Sequence, residues 1–233
     1  MKRPAPPAFF DEKQAANYVQ KFARLAPMKD VLHLLIAAVL GSLPENARVL
    51  CVGAGTGAEL LHLAKRFPRW RFTAVEPSAP MLAICRQQVE QSGIASRCEL
   101  HEGYLESLPQ SEPFDAATSL LVSQFILDPQ DRVQYFRGIA GRLRPGGSLV
   151  IADLAADITS PAYERLLEVW FQLMKLADPP AESLEKIRAA YVRDVAVLPP
   201  DQVTSMIEAG GFDTPIQFLQ TGLIHAWSTR RAS

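Results

Sequence analysis

The sequence has few cysteines, and none of them form the kind of pair that binds metal. The three cysteines, Cys51, Cys85 and Cys98, show no C-x-x-C spacing. Because their number is odd and their spacing irregular, we expect neither a disulfide framework nor a zinc site, and we predict reduced, structural thiols. The four histidines have no metal-ligand spacing either, so no metal is expected.

Long apolar runs and an excess of one charge are also missing. The longest apolar stretch, near Val31 to Leu40, is interrupted by His33 and falls short of the roughly 20 residues that cross a bilayer. The first residues, MKRPAPPAFF, have prolines where a signal peptide has an apolar segment. We therefore expect a cytoplasmic protein with no membrane span. A net charge of −1 argues against binding of nucleic acid.

Short apolar segments alternate with helical patterns over residues 48–153, which is typical of an α/β parallel sheet. The terminal segment GFDTPIQFLQTGLIHAWSTRR predicts two more strands, with a turn at residues 220–222. The predicted strands are Arg48 to Val52, Arg71 to Val75, Arg97 to His101, Asp115 to Leu121 and Ser148 to Asp153, and the predicted helices are Ala58 to Phe67, Pro80 to Gln91, Pro129 to Leu143 and Pro200 to Ala209.

Two helical regions lie outside this alternation. Glu12 to Leu25 and Met28 to Leu43 predict an N-terminal cover, and a helix pair broken at Pro179-Pro180 follows the fifth strand. We divide the single predicted domain into a cover (1–46), a core (47–154), an inserted lid (155–198) and a terminal helix with hairpin (199–233). Helix and strand alternation places the candidate site in the core.

Aromatic and sulfur side chains in these helices have two interpretations. Trp170, Phe171 and Met174 lie at helical spacing and predict a core-facing stripe. A helix above the carboxyl end of a sheet is also where a substrate lid would lie. Tyr18 and Phe22 in the cover have the same two interpretations.

The stretch VLCVGAGTGAEL places glycines at 53, 55 and 57 directly after a predicted strand. Such a loop lets a ligand approach the backbone, and the helix after it offers unpaired N–H groups. Glu76 ends the next strand, 19 residues beyond Gly57, where a carboxylate can accept hydrogen bonds from ribose hydroxyls. This pattern fits either a dinucleotide or an S-adenosyl ligand.

Further segments favour the second ligand. CELHEGYLESLP (98–109), FDAATSLLVSQF (114–125), IAGRLRPGGSLVIADL (139–154) and AGGF (209–212) resemble class I S-adenosylmethionine-dependent methyltransferases over almost the whole chain. The resemblance implies a Rossmann-like seven-stranded sheet, mostly parallel with the last strand antiparallel. It also implies S-adenosyl-L-methionine as methyl donor and S-adenosyl-L-homocysteine as product. The chain is most similar to the branch of the carboxy-S-adenosylmethionine synthases, which share an early R-x-x-P, here Arg24 to Pro27.

The resemblance also implies roles for particular residues. Leu121 would lie near the sulfonium through its backbone, and Arg188 would fall near an arginine that binds a ligand carboxylate, although a solvated helix face is the alternative. The residues implied to contact the cofactor are Gly53, Ala54, Gly55, Gly57, Glu76, Pro77, Gly103, Tyr104, Leu121 and Arg24, and those implied to contact substrate are Tyr18, Trp170, Met174 and Arg188.

The chain departs from the family pattern at three positions. Cys51 replaces an acid at the end of the first strand, Tyr104 replaces an acid near the adenine, and Lys29 stands where the synthases have tyrosine. The first two changes remove carboxylates from the pocket of a cationic ligand, while Tyr104 can stack on adenine.

The implied reaction is in-line methyl transfer to a small, partly hydrophobic acceptor, which needs mainly positioning and the exclusion of water. Gln124 is the candidate to orient the acceptor, with a solvent-facing helix start as its alternative. A carboxy-S-adenosylmethionine synthase-like enzyme, a non-catalytic S-adenosyl-binding protein and, less favoured, a nucleotide-dependent oxidoreductase stay open, as does a homodimer.

Overall fold

A computed structural model describes residues 26–177, Ala189 and residues 193–233. Its centre is a seven-stranded sheet with the order β3-β2-β1-β4-β5-β7-β6, in which β7 runs antiparallel to the other six strands. The predicted fold class is confirmed. The strands are β1 (Arg48–Val52), β2 (Arg71–Glu76), β3 (Cys98–Glu102), β4 (Phe114–Leu120), β5 (Leu143–Leu154), β6 (Ile216–Thr221) and β7 (Ile224–Arg230).

Six α-helices are assigned in the described residues, and their starts follow local capping chemistry. Asp128 accepts hydrogen bonds from the N–H groups of Gln130 and Asp131, and Ser78 accepts one from Met81, so each begins a helix as an N-cap. The helices are α1 (Ala26–Leu40), α2 (Ala58–Arg66), α3 (Ala79–Gln91), α4 (Pro129–Ala140), α5 (Pro161–Ala177) and α6 (Pro200–Ala209).

The helices cover both faces of the sheet. α1, α2 and α3 pack on one face, around Cys51 and Leu60, and α4 and α6 pack on the other, around Leu50 and Phe136. Because β1 is covered on both faces, its residues after Arg48 are all buried, as expected for a central parallel strand. A third cluster joins α5 to the carboxyl ends of the strands through Leu154 and Leu223.

Two sequence-based boundaries were wrong at the end of the sheet that carries LRPGG. β5 begins at Leu143 instead of Ser148, because Gly146 N–H donates to the Arg231 carbonyl and Arg231 N–H donates to the Gly147 carbonyl, which holds this segment in extended pairing. α4 therefore ends at Ala140 instead of Leu143. The terminal hairpin turns at 222–223, one residue later than predicted, because Thr221 still pairs with Ile224.

The predicted cover and lid are described in part. α1 corresponds to the predicted helix from Met28 to Leu43, and α5 to the first inserted helix. The helix predicted for 12–25 lies outside the described residues, and so does the second inserted helix apart from Ala189, Arg193 and Asp194. None of the helices in the described ranges combines the length and the apolar character needed to cross a membrane.

Candidate active site

The glycine loop between β1 and α2 has three residues in the left-handed region. Gly53, Gly55 and Gly57 have φ values of 71°, 56° and 83°. The Gly53 and Ala54 N–H groups both donate to the carbonyl of Val75 on β2, at 2.8 and 3.1 Å. The loop is therefore tied to the neighbouring strand, at the carboxyl edge of the sheet.

The three glycines are required for different reasons. A Cβ on Gly53 would lie 2.4 Å from Val122 Cγ2, and one on Gly57 would lie 2.6 Å from Cys85 Sγ. Both glycines are thus crowded by the protein itself. A Cβ on Gly55 would meet only Met81 Cε, at 3.6 Å, an ordinary contact. Gly55 is therefore the glycine beside which space for a ligand is open.

Glu76 connects the end of β2 to this loop. Its carboxylate accepts hydrogen bonds from the N–H groups of Gly55 and Ser78, each at 2.9 Å. The residue is only 8% exposed, and burial raises the pKa of the carboxyl, with the two N–H groups acting in the opposite direction. Pro77 follows it, half-buried, before the N-terminus of α3.

Cys51 does not line the loop. It is fully buried in the core between the sheet and α2 and α3, where it pairs in register with Ala74 and Thr118. Burial is the main cause that raises the pKa of its thiol well above the ordinary value, and Glu59 adds to the shift. The thiol is therefore a protonated core group, consistent with its prediction as a structural cysteine.

Glu59 is a second buried carboxyl at this site, and sequence analysis missed it. It lies in the first turn of α2, is 8% exposed, and has its pKa raised to about 7 by burial and then by the charge of Glu76. Among the described residues, no arginine or lysine forms an ion pair with Glu59 or Glu76. The sequence indicated this burial through the position of Glu59 beside Leu60 and Leu63, on the apolar face of α2.

The loop after β3 lies next to Glu76. Gly103 has a φ of 145°, and its N–H donates to the Glu76 carbonyl at 3.0 Å. Ser107 donates to the Tyr104 carbonyl at 2.7 Å and contacts the His101 ring nitrogen at 2.8 Å, which fixes the turn. Tyr104 is half-buried, so part of its surface is available to a ligand.

The loop after β4 completes this edge of the sheet. Leu121 has a φ of 59° and is the one non-glycine residue with positive φ in the described ranges. Its N–H donates to the Ala152 carbonyl at 2.6 Å. Gln124 is buried, not solvent-facing, and its side-chain oxygen accepts a hydrogen bond from Leu154 N–H at 2.8 Å. Gln124 therefore joins this loop to the end of β5.

The helix α5 packs above this edge. Trp170 is 4% exposed, and its ring lies so close to the hairpin turn that a Cβ on Gly222 would be 2.7 Å from it. Met174 is half-buried and packs in the same cluster, to which Leu121 also belongs. Trp170 thus anchors α5 to the sheet, and Met174 keeps an accessible surface.

Residues that follow the ends of β1, β2, β3 and β4 meet at this edge. Tyr18, Arg24 and Arg188 lie outside the described residues. No group of three His, Cys, Asp or Glu side chains in the described part of the chain could hold a metal ion.

Comparisons with known proteins agree with this geometry. A methyltransferase domain model matches residues 49–147, which include the glycine loop, Glu76 and the loop after β4. The chain is 32% identical over 127 residues to the erythromycin 3''-O-methyltransferase of Saccharopolyspora erythraea, covering 53% of this chain and 40% of that protein. It is 23% identical over 230 residues to the ubiquinone/menaquinone biosynthesis C-methyltransferase UbiE of Vibrio vulnificus, covering 92% of this chain and 87% of that protein.

The fold comparison points the same way. The crystal structure of the CurJ carbon methyltransferase superposes with a TM-score of 0.66 at 15% identity, over 96% of this chain and 59% of that chain. The chain thus spans less than half of the erythromycin enzyme and most of the quinone enzyme. Residues 49–147, which contain the glycine loop, thus match a methyltransferase domain, and the seven-stranded sheet has the same fold as the CurJ structure.

Proposed function

We propose that the carboxyl edge of β1, β2 and β4 binds S-adenosyl-L-methionine and that the protein transfers its methyl group to a small, partly hydrophobic acceptor, with S-adenosyl-L-homocysteine as the other product. The observation that carries this proposal is the link between Gly55 and Glu76. The open side of the loop and a buried carboxylate lie together, and a carboxylate that accepts two N–H bonds keeps lone pairs for two ribose hydroxyls.

The charge at the site supports a cationic ligand. Glu59 and Glu76 are both buried, and burial raises the pKa of each carboxyl. The charge of Glu76 raises the pKa of Glu59 further. An ammonium or sulfonium placed beside them would favour their ionised forms, because opposite charges at short range stabilise each other. Glu59 therefore offers the negative charge that the cysteine at position 51 does not.

The residues proposed to hold the cofactor are those that the family pattern implies. Half-buried Tyr104 offers a ring that can stack on adenine. The proposed set is Gly53, Ala54, Gly55, Gly57, Glu76, Pro77, Gly103, Tyr104 and Leu121, together with Arg24 outside the described residues.

The acceptor is proposed to bind between this edge and α5. Leu121, Leu173 and Met174 belong to the apolar cluster there, which excludes water and favours an acceptor with apolar surface. Met174 and Trp170, with Tyr18 and Arg188 outside the described residues, remain our proposed acceptor contacts. Two relatives, named as an erythromycin 3''-O-methyltransferase and a ubiquinone/menaquinone biosynthesis C-methyltransferase, agree with a small acceptor.

The chemistry requires little from acid or base groups of this chain. Transfer in line needs the acceptor atom aligned with the methyl group in a site shielded from water. Leu121 and the α5 cluster supply the shielding, and Gln124 fixes the loop against which the acceptor would lie. We propose Gln124 as a residue that positions the acceptor through this loop.

Calorimetry with purified protein tests the cofactor. We expect binding of S-adenosylhomocysteine and S-adenosylmethionine and no binding of NAD. NAD binding without a response to either adenosyl ligand would overturn the proposal. Mass spectrometry of any ligand that copurifies separates S-adenosylmethionine from carboxy-S-adenosylmethionine, the ligand expected of the synthase branch.

Turnover is tested by release of S-adenosylhomocysteine across a panel of phenols, quinols and glycosides. Acceptor-dependent release would support methyl transfer. Tight binding of the cofactor with no release across the panel would instead favour a non-catalytic S-adenosyl-binding protein, the alternative suggested by the missing acids at Cys51 and Tyr104.

A further inference from the structure

A buried ion pair lies beneath the loop that follows β4. Arg132 on α4 and Asp153 near the end of β5 are both 0% exposed, and Arg132 Nη2 lies 2.9 Å from Asp153 Oδ2. Replacing such a pair with apolar side chains is often neutral or stabilising, since removing two charges from water costs much of what their attraction returns. Stability alone is therefore a weak reason for this pair.

The pair is connected to the loop on one side. Arg132 Nε donates to Ser123 Oγ at 2.9 Å, and the Ser123 hydroxyl donates to Asp153. The Gln124 N–H donates to the other oxygen of Asp153 at 3.1 Å. Both oxygens of this carboxylate are thus used to hold the two residues that follow Leu121 and Val122.

The pair is connected on its other side to the segment that returns from the inserted region. Arg132 Nη1 donates to the Ala196 carbonyl at 3.2 Å, and Ala196 N–H donates to the Gln124 carbonyl at 2.8 Å. Two residues further, the Leu198 carbonyl accepts a hydrogen bond from Ala156 N–H at 2.9 Å. One guanidinium on α4 therefore contacts β5, the loop and the returning segment.

The loop held in this way includes a strained residue. Leu121 has a φ of 59°, a left-handed conformation that is unfavourable for a residue with a side chain. Strained backbone persists only where the surroundings constrain it from several directions. The Arg132 network supplies such constraints directly after Leu121, within the apolar cluster that also contains α5.

We propose that Arg132 is a positioning residue that couples the loop after β4 to the segment returning from the inserted lid, and so sets the place of Leu121 relative to the bound cofactor. This inference rests on the proposed function. Arginine suits the task because its planar fork donates in several fixed directions at once, whereas a lysine ammonium carries the same charge without that geometry.

The test compares Arg132→Lys and Ser123→Ala with the parent. Arg97→Lys is the matched control, because Arg97, like Arg132, donates to three groups, here the carbonyls of Ala64, Phe67 and Trp70, but lies at the opposite edge of the sheet. Hydrogen exchange is followed by mass spectrometry in residues 119–126 and 194–199. Affinity is measured for S-adenosylhomocysteine and for sinefungin, which carries an amine where the transferred methyl group would lie.

Ser123→Ala and Arg132→Lys should each accelerate exchange in both segments by roughly 10-fold or more, with β1 and β2 unchanged. Sinefungin affinity should fall by about 10-fold, the effect of losing one well-placed hydrogen bond to a charged group, while S-adenosylhomocysteine affinity changes much less. Arg97→Lys should alter neither the exchange of these segments nor the ratio of the two affinities.

Three outcomes would overturn the inference. The first is faster exchange in one segment only, the second is a uniform increase in exchange across the sheet, and the third is an equal loss of affinity for both ligands. Each is the result expected if the ion pair only stabilises the fold. If Arg132→Lys does not fold, Ser123→Ala decides, because it keeps both charges. A parent that binds neither ligand would refute the proposed function, and joint acceleration of the two segments would still support the coupling.

Discussion

The Glu76 carboxylate accepts a hydrogen bond from the Gly55 N–H at 2.9 Å, so the acid at the end of β2 and the open glycine of the loop form one unit. The second oxygen accepts from Ser78 N–H, at the start of α3. A single side chain thus joins the loop, the strand end and a helix N-terminus, and its replacement should affect both ligand binding and the loop.

Glu76→Ala should weaken binding of S-adenosylhomocysteine by about 1.5–3 kcal/mol, roughly 10- to 150-fold in Kd, the usual range for hydrogen bonds to a charged group. Calorimetry gives the Kd, and circular dichroism checks folding. Glu102→Ala is the control, because Glu102 is the exposed register partner of Glu76 on β3. An unchanged Kd in folded Glu76→Ala would show that Glu76 does not bind the ribose.

Cys51→Asp should lower the free energy of unfolding by several kcal/mol, because it places a carboxylate in a fully buried apolar site. Cys51→Ala removes the sulfur without adding charge and should cost much less. Urea denaturation of the two variants gives the difference. A stable Cys51→Asp protein with tighter S-adenosylmethionine binding would contradict the buried environment described for this thiol.

Gly53→Ala should be more destabilising than Gly146→Ala, although the two glycines have φ values of 71° and 70°. Gly146 has no heavy atom within 4 Å of an added Cβ, so its substitution measures the conformational cost alone, about 1–2 kcal/mol. Gly53→Ala adds a clash with Val122, worth about 1–3 kcal/mol more. Thermal and urea unfolding measure both variants.

Gly53→Ala combined with Val122→Ala tests the origin of the additional cost. Removing the Val122 methyl groups should recover part of the stability that Gly53→Ala loses. If the double variant is less stable than the sum of the two single variants implies, the loop is constrained by something other than this contact.

The pH dependence of stability should reveal Glu59. Its pKa in the folded protein is about 7 against an ordinary 4.5, so between these values the folded state binds more protons than the unfolded state. The free energy of unfolding therefore falls as pH rises from 4.5 to 7, by about 3 kcal/mol in total. Glu59→Gln should match the parent at low pH and exceed its stability above pH 7.

The measurement is the difference between Glu59→Gln and the parent in urea unfolding from pH 4 to 8. The difference is required because burial, His62 and Lys29 lower the pKa of His33 to about 4, which makes stability fall as pH drops below 6.5 and so opposes the Glu59 effect. Glu102→Gln, at an exposed position, is the control. If the difference in unfolding free energy did not change with pH, the pKa of Glu59 would be the same in the folded and unfolded states, which would contradict this prediction.

The sequence by itself determined the strand and helix order, since hydrophobic periodicity is local and β1, β2 and α3 agree with it to within a residue. It also determined where the glycine loop and Glu76 would meet, because carboxyl ends of parallel strands share one edge. The extended pairing of LRPGG depended on Arg231, which lies at the far end of the chain, so local turn chemistry pointed to the wrong boundary.

Only the tertiary structure decided what surrounds each of these residues. Crowding of Gly53 by Val122, the burial of Cys51, and the convergence of Arg132, Asp153 and Ser123 all join residues far apart in the chain. No periodicity records such contacts, and the pKa of Glu59 depends on the same packing. Burial and neighbouring charge, which fix these properties, arise only when the helices close over the sheet.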